Sequence, residues 1–434
     1  MSSGRIAIVV VHGMGNQYPM ETLRGFTEAI RPPDAVLYSS PNRITDDREV
    51  RRISFSKTPF DYFEYYWAHY MEEPRIMAVL GWSLKLLFWK TPSNSLKKHV
   101  WVVRAAISLF VGLILAISVF GYLNYQEHIN GLLSATIFGV SLVVIFKIIW
   151  SLISATVVGA VQSSIGDVIK YTIPSPENIS IREKIRKNGM ELLRNLHVAK
   201  KDNGNAKYEK IILIGHSLGT IVAYDILTSL FAEYHLDYVN IPATFKQNRL
   251  KVIRLRYPRP NHKNNQYQRK QGRLFQEYQS LGNQWRVSHF ITLGSPLTHA
   301  SMILSRGEED FQRKKDQREF PISPPQLDHA DNHFAFDAKF RAKENKPVTI
   351  KVLHHAAHFA MTQWTNLYYK NDWIGGPLSS EFGPGIVDIE VTAAHKLLRS
   401  IPLATHTRYW DRQYHESLKV LKRILEDLWQ TPDR

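Results

Sequence analysis

The chain has 434 residues, no cysteine and a formal net charge of +16, with 44% hydrophobic and 22% charged residues. These proportions are typical of a globular protein, and the length allows one to three domains. The absence of cysteine excludes disulfides, thiolate catalysis and cysteine-ligated zinc. The basic excess favours an anionic partner, either a nucleic acid or an acidic membrane surface.

The first predicted element is a buried strand near the N-terminus. Residues 5–11, RIAIVVV, form a β-branched run without polar alternation, which is typical of a strand covered on both faces in a parallel sheet. A turn, a predicted helix and a polar segment follow, and the aromatic stretch FDYFEYYWAHYM then predicts a further strand. Residues 1–75 are therefore predicted to form the first part of an α/β domain.

Two apolar tracts follow, at residues 105–123 and 131–161. The first is uncharged and about as long as a helix that crosses a bilayer, and the second contains one charge, Lys147, which can extend toward an interface. Basic residues flank the pair but are absent from the short connection, so the positive-inside rule places both termini on the cytoplasmic side. Residues 76–170 are therefore predicted to form an interfacial helix and a transmembrane hairpin, in an integral membrane protein with two spans. Two buried helices of a soluble core are the alternative.

Residues 171–434 alternate between strand and helix patterns, for example the apolar strand at 210–214 and the helical pattern after it. Alternation of this kind predicts a doubly wound, mostly parallel α/β sheet. Two stretches interrupt it, a basic insertion at 246–273 without any acidic residue and a charged loop at 308–346. The basic insertion is predicted to attract anionic lipid headgroups, with nucleic acid as the less favoured partner.

The strand KIILI runs directly into Gly215-His216-Ser217-Leu218-Gly219, which has the G-x-S-x-G pattern of a nucleophile elbow. Gly215 and Gly219 leave room for a tight strand-to-helix turn that raises the Ser217 hydroxyl above the sheet edge. The same turn places the Leu218 N–H at a helix start, where N–H groups lack partners within the helix and the dipole is positive. Ser217 is therefore predicted to be a catalytic nucleophile.

With this elbow the sequence resembles the α/β-hydrolase superfamily, in particular its lipase-like and GPI-inositol-deacylase-like branches, here with an inserted transmembrane hairpin. The stretch VVVHGMGNQ resembles the family's oxyanion-hole turn. The resemblance implies that Gly13 and Met14 lie beside the substrate carbonyl, and that the N–H groups of Met14 and Leu218 bind the developing oxyanion. It gives His12 a structural place in the turn, and it makes Ser295, in TLGSP, the end of a strand rather than the nucleophile.

A serine hydroxyl needs a base, and the base needs an orienting acid. In this family the chain order is serine, acid, histidine. The stretch WTNLYYKNDWIGGPL resembles the family's acid turn and implies Asp372, with Asp388 in the next predicted strand as the alternative. The stretch ATHTRYWDRQY resembles the final histidine loop, in which an aromatic pair follows the histidine, and implies His406; His395 and His415 are the other candidates.

The motif HHAAH places His354 and His358 four residues apart, with His355 between them. This spacing occurs in metal-binding helices, but the glutamate of a zincin helix is missing and no carboxylate lies close by. No metal site and no cofactor is therefore predicted.

Taken together, these patterns predict a membrane-anchored serine hydrolase that cleaves carboxylic esters, with lipid acyl esters as the favoured substrates and the bilayer as a partner. Ser217 is expected to attack the ester carbonyl, His406 to take and return the proton, and Asp372 to fix the imidazole. The alternatives are a catalytically inactive scaffold with the hydrolase fold and an RNA-associated membrane protein that uses the basic insertion.

Overall fold

The computed structural model describes residues 4–13, 18–45, 49–71, 112, 168, 170–172, 175–242, 265–328, 333–342, 345–372, 374–392, 405–412 and 415–430. The chain divides into two compact units, Met1–Glu72 with Tyr171–Arg434, and Glu73–Lys170. The second unit overlaps the predicted insertion at residues 76–170, most of which lies outside the described residues. All strands and helices given below belong to the first unit.

An eight-stranded sheet forms the centre of the first unit. Its strands are β1 (Arg5–Val11), β2 (Leu37–Pro41), β3 (Arg51–Phe55), β4 (Phe60–Tyr65), β5 (Tyr208–His216), β6 (Val287–Leu293), β9 (Gln363–Tyr369) and β10 (Val387–Val391). They lie in the order β10-β9-β6-β5-β1-β4-β3-β2. Every neighbouring pair from β10 to β4 is parallel, whereas β3 is antiparallel to both β4 and β2. The predicted α/β class and the mostly parallel sheet are therefore confirmed.

The central strands β1 and β5 are apolar on both sides because helices cover both faces of the sheet. The longer helices of the described part of the chain are α1 (Glu21–Ile30), α2 (Pro176–Val198), α3 (Leu218–Tyr234), α4 (Asn265–Ser280), α5 (Glu308–Asp316) and α6 (His415–Gln430). Alternate residues of β1, such as Ile8 and Val10, join a core with Phe26 and Leu421, which belong to α1 and α6 on one face. The helices α2 and α3 pack together, and α3 contacts β5 and β1. This layering is compatible with a doubly wound fold.

The register of the sheet brings the ends of β1 and β5 to the same level. Val11 pairs with Gly215, so His12 and Gly13 leave β1 beside the point where β5 ends and Ser217 begins the next turn. The carboxyl ends of β6 and β9 reach the same edge, because all these strands are parallel. Residues that are far apart in the chain therefore meet at one edge of the sheet.

Residues 308–346, predicted as a charged loop, contain regular structure. Helix α5 begins there, and β7 (Ala335–Arg341) pairs with β8 (Pro347–Leu353) in a separate antiparallel sheet. Of the basic insertion, residues 246–264 lie outside the described residues and the remainder belongs to α4. Shorter helical turns connect the larger elements, at Ala68–Tyr70, Pro296–His299, Ala300–Ile303, His358–Ala360 and Ser379–Phe382.

The predicted localisation, an integral membrane protein with two spans, is contradicted. Within the described part of the chain, no helix is long and apolar enough to cross a bilayer. Helix α2 has 23 residues, but its sequence contains eight charged residues; helix α3 is apolar but has 17 residues, short of the roughly 20 that a span needs. The tracts at 105–123 and 131–161, on which the prediction depended, lie outside the described residues except for Gly112.

Candidate active site

Ser217 occupies a strained turn between β5 and α3. Its backbone has φ 53° and ψ −130°, a conformation that residues other than glycine rarely adopt and that often marks a functional site. The Ser217 N–H donates a 3.0 Å hydrogen bond to the Leu293 carbonyl at the end of β6, which fixes the turn to the sheet. A Cβ atom on Gly219 would collide with the carbonyl oxygen of His12, so glycine is needed where α3 passes the end of β1.

The side chains of Ser217, His406 and Asp372 form one chain of hydrogen bonds. His406 Nε2 lies 2.8 Å from Ser217 Oγ, and His406 Nδ1 lies 2.9 Å and 3.1 Å from the two carboxylate oxygens of Asp372. The three residues are 2%, 4% and 6% exposed. With its proton on Nδ1 facing the acid, the imidazole presents a lone pair at Nε2 to the serine hydroxyl.

Asp372 lies just after β9 and accepts two hydrogen bonds besides that of His406. The Ile374 N–H donates to Oδ1 at 2.9 Å, and the Tyr409 hydroxyl donates to Oδ2 at 2.7 Å. Burial by itself would raise the pKa of Asp372, but the charge of His406 and the hydrogen bonds from His406, Tyr409 and Ile374 lower it to about 2. The carboxylate is therefore ionised near neutral pH.

His216, the residue before the nucleophile, holds the loop that carries the imidazole. Its Nε2–H donates a 2.8 Å hydrogen bond to the backbone carbonyl of His406. Burial and the nearby His406 lower the pKa of His216 to about 3, so His216 is neutral near pH 7. The Trp410 ring packs edge-on against it, with ring centres 4.9 Å apart. The elbow and the histidine loop are thus joined directly.

The structure describes Gly13 and Leu218 of the predicted oxyanion hole. Leu218 is the first residue of α3, where N–H groups have no carbonyl partner within the helix. Gly13 passes close to the nucleophile, since a Cβ atom on Gly13 would lie 3.0 Å from Ser217 Cβ. Met14 lies outside the described residues. His12 accepts the Trp67 N–H at Nε2 over 3.0 Å and donates from Nδ1 to the Gly13 carbonyl over 2.8 Å, so both ring nitrogens have structural partners.

The alternative acid and bases are not brought to Ser217 within the described residues. Asp388, on β10, accepts the N–H groups of Leu378 and Ser379 at 2.9 Å each and thereby holds that turn. His415 is the first residue of α6, and its side chain lies outside what the structure describes, as does the whole of His395.

Ser295 also lies at this edge of the sheet, but its hydroxyl is hydrogen-bonded to two other residues. Its hydroxyl is 2.6 Å from Thr220 Oγ1 and accepts the Leu297 N–H at 3.3 Å. Thr220 Oγ1 in turn donates to the Ser217 carbonyl at 2.7 Å. Ser295 therefore supports the elbow through Thr220.

The histidines of HHAAH are placed within the protein interior and at its edge. His354 Nε2 donates to the Gln326 carbonyl at 2.9 Å, and its Nδ1 accepts the Ala356 N–H at 3.2 Å. His358 is fully buried, and burial lowers its pKa to about 3. Among the described residues, no group of three or more histidine, aspartate or glutamate side chains is arranged to hold a metal ion.

Sequence patterns do not predict the roles of two residues of the site. Tyr409 belongs to the aromatic pair after His406, which marks the histidine loop but does not indicate a contact with Asp372. Gly294 belongs to TLGSP, in which Ser295 is the more conspicuous residue. Both motifs are visible in the sequence, but neither shows which side chains lie next to it in the folded protein.

No family model, curated protein or solved structure matches the chain. The interpretation of the site therefore depends on its geometry and chemistry.

Proposed function

We propose that this protein is a serine hydrolase of the α/β-hydrolase fold that cleaves carboxylic esters. The observation that carries the proposal is the buried chain of hydrogen bonds from Ser217 Oγ through His406 to Asp372, beginning at a residue with φ 53°. A strained backbone has a cost in stability, and such strain concentrates at functional sites. A serine hydroxyl within 2.8 Å of an imidazole nitrogen has a base for its proton.

The arrangement of the elements supports the same fold. The serine follows β5 near the middle of the parallel sheet, the acid follows β9, and the histidine precedes the last helix, α6. This gives the chain order serine, acid, histidine that is typical of α/β-hydrolases. The order differs from that of other serine hydrolase folds with the same triad, so it favours this fold over them.

In the proposed mechanism, Ser217 Oγ attacks the ester carbonyl while His406 Nε2 takes its proton. Asp372 stabilises the imidazolium through its hydrogen bond to Nδ1, and the N–H groups of Leu218 and Met14 bind the oxyanion of the tetrahedral intermediate. His406 then gives the proton to the leaving alcohol, and water releases the acid in a second round of the same steps. One oxyanion donor typically contributes roughly 10²–10³ in kcat.

The test is covalent labelling of the full-length protein with a fluorophosphonate probe, together with hydrolysis of p-nitrophenyl esters. We expect Ser217→Ala to remove labelling and to lower kcat by about 10⁴-fold or more. Ser295→Ala is the matched control, because Ser295 is equally buried at the same sheet edge but has other partners; it should still be labelled. A wild-type protein that is folded but neither labelled nor active would instead support the inactive scaffold.

For the substrate class, we propose acyl esters of lipids. The support is the resemblance of the elbow, the oxyanion turn and the histidine loop to lipase-like hydrolases. A series of p-nitrophenyl esters from acetate to palmitate, followed by acylglycerols and phospholipids in micelles, tests this choice. Activity confined to short esters would contradict the lipid assignment and leave the hydrolase assignment in place.

A further inference from the structure

We propose that Tyr409 is a positioning residue of the site, which fixes Asp372 through its hydroxyl and sets how strongly the acid acts on His406. This inference rests on the proposed function, because it concerns the same hydrogen-bonded chain. It extends that chain by one residue, whose hydroxyl binds the acid.

The direction of the Tyr409 hydroxyl proton follows from its partners. The Tyr369 N–H donates to the Tyr409 oxygen at 3.1 Å, so that oxygen acts as an acceptor toward the backbone. Its own proton points to Asp372 Oδ2 at 2.7 Å. Tyr409 is 0% exposed, so solvent does not compete for either bond. A buried hydroxyl bound to a carboxylate forms a short, strong, directional hydrogen bond.

Three side chains of the site converge at one backbone position, Gly294. A Cβ atom there would lie 2.7 Å from Tyr409 Cε2, 2.9 Å from Asp372 Oδ2 and 3.1 Å from His406 Nδ1. The Tyr409 ring also packs against Tyr369, with ring centres 4.9 Å apart. Tyr409 therefore has little freedom to turn its hydroxyl away from the carboxylate.

The position of Tyr409 in the chain gives this contact a further consequence. It lies three residues after His406, so one short loop carries both the base and the hydroxyl that orients the acid. Docking of that loop on the sheet edge sets the base and the acid together. Displacement of the loop would remove the contacts of His406 and Tyr409 with Asp372 at the same time.

Tyr409 and His406 share one oxygen of Asp372. Oδ2 accepts from His406 Nδ1 at 2.9 Å and from Tyr409 at 2.7 Å. The hydroxyl draws negative charge from the carboxylate, and that charge would otherwise stabilise the imidazolium of His406. Loss of the hydroxyl should therefore strengthen the hydrogen bond from His406 Nδ1 to Asp372, and a more acidic phenol should weaken it.

The experiment compares Tyr409→Phe with Tyr278→Phe as a matched control. Tyr278 is also buried and also donates one 2.8 Å hydrogen bond, to the Lys351 carbonyl, away from the site. We expect Tyr409→Phe to slow fluorophosphonate labelling by about 10- to 100-fold, because Asp372 loses one of the hydrogen bonds that orient it toward His406. We also expect the acid limb of the pH–rate profile to move to higher pH. Tyr278→Phe should leave both unchanged. An unshifted profile in Tyr409→Phe, or equal shifts in the two variants, would overturn the proposal.

Proton NMR of the full-length protein labelled with ¹⁵N-histidine separates this proposal from the proposed function. The His406 Nδ1–H signal is assigned by its loss in His406→Gln. It should lie further downfield in Tyr409→Phe than in wild type, because the carboxylate then binds this proton more strongly, whether or not the protein turns over an ester. If Tyr409→Phe does not fold, 3-fluorotyrosine at position 409 keeps the ring and strengthens the donor, and it should move this signal upfield. No change, or a change of opposite sign, would contradict the assignment.

Discussion

Gly294 is the backbone position around which three side chains of the site are packed. Its φ of +56° favours glycine, and the space beside its Cα is occupied by Tyr409, Asp372 and His406. Two separate effects therefore act against any side chain at this position, namely backbone strain and collision with neighbouring side chains.

We predict that Gly294→Ala removes fluorophosphonate labelling. Gly204→Ala is the matched control, because Gly204 also has a positive φ, +80°, but no atom lies within 4 Å of a Cβ placed there. The control should lose about 1 kcal/mol of stability through strain and keep its labelling rate. Labelling rates and urea unfolding of both variants give the comparison, and equal labelling in the two would show that the contacts at Gly294 are unimportant.

Asp372 gives a prediction on the pH dependence of stability. Its pKa is about 2 in the folded protein, below the ordinary value of 3.8, so ionised Asp372 stabilises the fold at pH values above about 4 and this contribution is lost as the pH falls toward 2. The shift corresponds to about 2 kcal/mol. We predict that the difference in unfolding free energy between wild type and Asp372→Asn shrinks by about this amount between pH 6 and pH 2.

Urea unfolding at several pH values measures that difference. The other carboxyl groups titrate alike in the two proteins, so their effects cancel in the comparison. A difference that stays constant with pH would mean that the fold does not stabilise the ionised form of Asp372.

At the scale of elements, ion pairs at two places join α2 to α3, the helix that begins directly after Ser217. Arg182 and Arg186 pair with Asp225, and Arg194 pairs with Glu233. Asp225 Oδ2 lies 2.9 Å from Arg182 and accepts the Tyr171 hydroxyl at 3.1 Å, where the chain resumes after the second unit. Its side chain is 12% exposed and that of Arg182 is 27% exposed. The pair Arg194–Glu233, at 2.7 Å, has side chains 37% and 43% exposed.

We predict that Asp225→Ala costs about 2–3 kcal/mol, because it leaves partly buried donors without their acceptor. Glu233→Ala should cost less than about 1 kcal/mol, since water replaces an exposed partner and salt screens the pair. Urea unfolding of both variants is the measurement. Equal losses would show that burial does not distinguish the two pairs.

Elements differ in how directly the sequence encodes them. The buried strands β1 and β5 follow from uninterrupted apolar runs, and both were predicted. The high charge of residues 308–346 predicts a loop, yet α5 begins with Glu308, Glu309 and Asp310 and has three basic residues in its last turn. Acidic residues in the first turn and basic residues in the last stabilise a helix through its dipole. The order of the charges therefore favours a helix, even though the number of charges favours a loop.

At the scale of the whole molecule, the hydrogen-bonded residues Ser217, His406, Asp372 and Tyr409 all belong to the first unit. We predict that replacement of residues 73–170 by a flexible linker of about 15 residues, whose ends are on average about 20 Å apart, leaves a folded chain that is still labelled. Circular dichroism, size-exclusion chromatography and fluorophosphonate labelling are the measurements, with Ser217→Ala in the shortened chain as the control. A shortened chain that folds but is not labelled would show that residues 73–170 take part in the site.

The features that follow from the amino-acid sequence alone are local ones. A fully apolar strand followed by G-x-S-x-G defines the turn at Ser217, because that turn depends on neighbouring residues and on the absence of side chains at two glycines. Asp372 and His406 follow only from a family resemblance, which leaves other aspartates and histidines as candidates. The reason is their separation in the chain, since His406 lies 189 residues from Ser217 and 34 from Asp372.

Which of these side chains contact one another depends on the tertiary structure. Strand order and register bring the ends of β5, β6 and β9 to one edge, and the packing around Gly294 then selects Asp372, His406 and Tyr409 as neighbours. Contacts of this kind depend on the free energy of the whole sheet and its helices rather than on any single segment. For that reason no local pattern in the chain showed that the Tyr409 hydroxyl binds the acid.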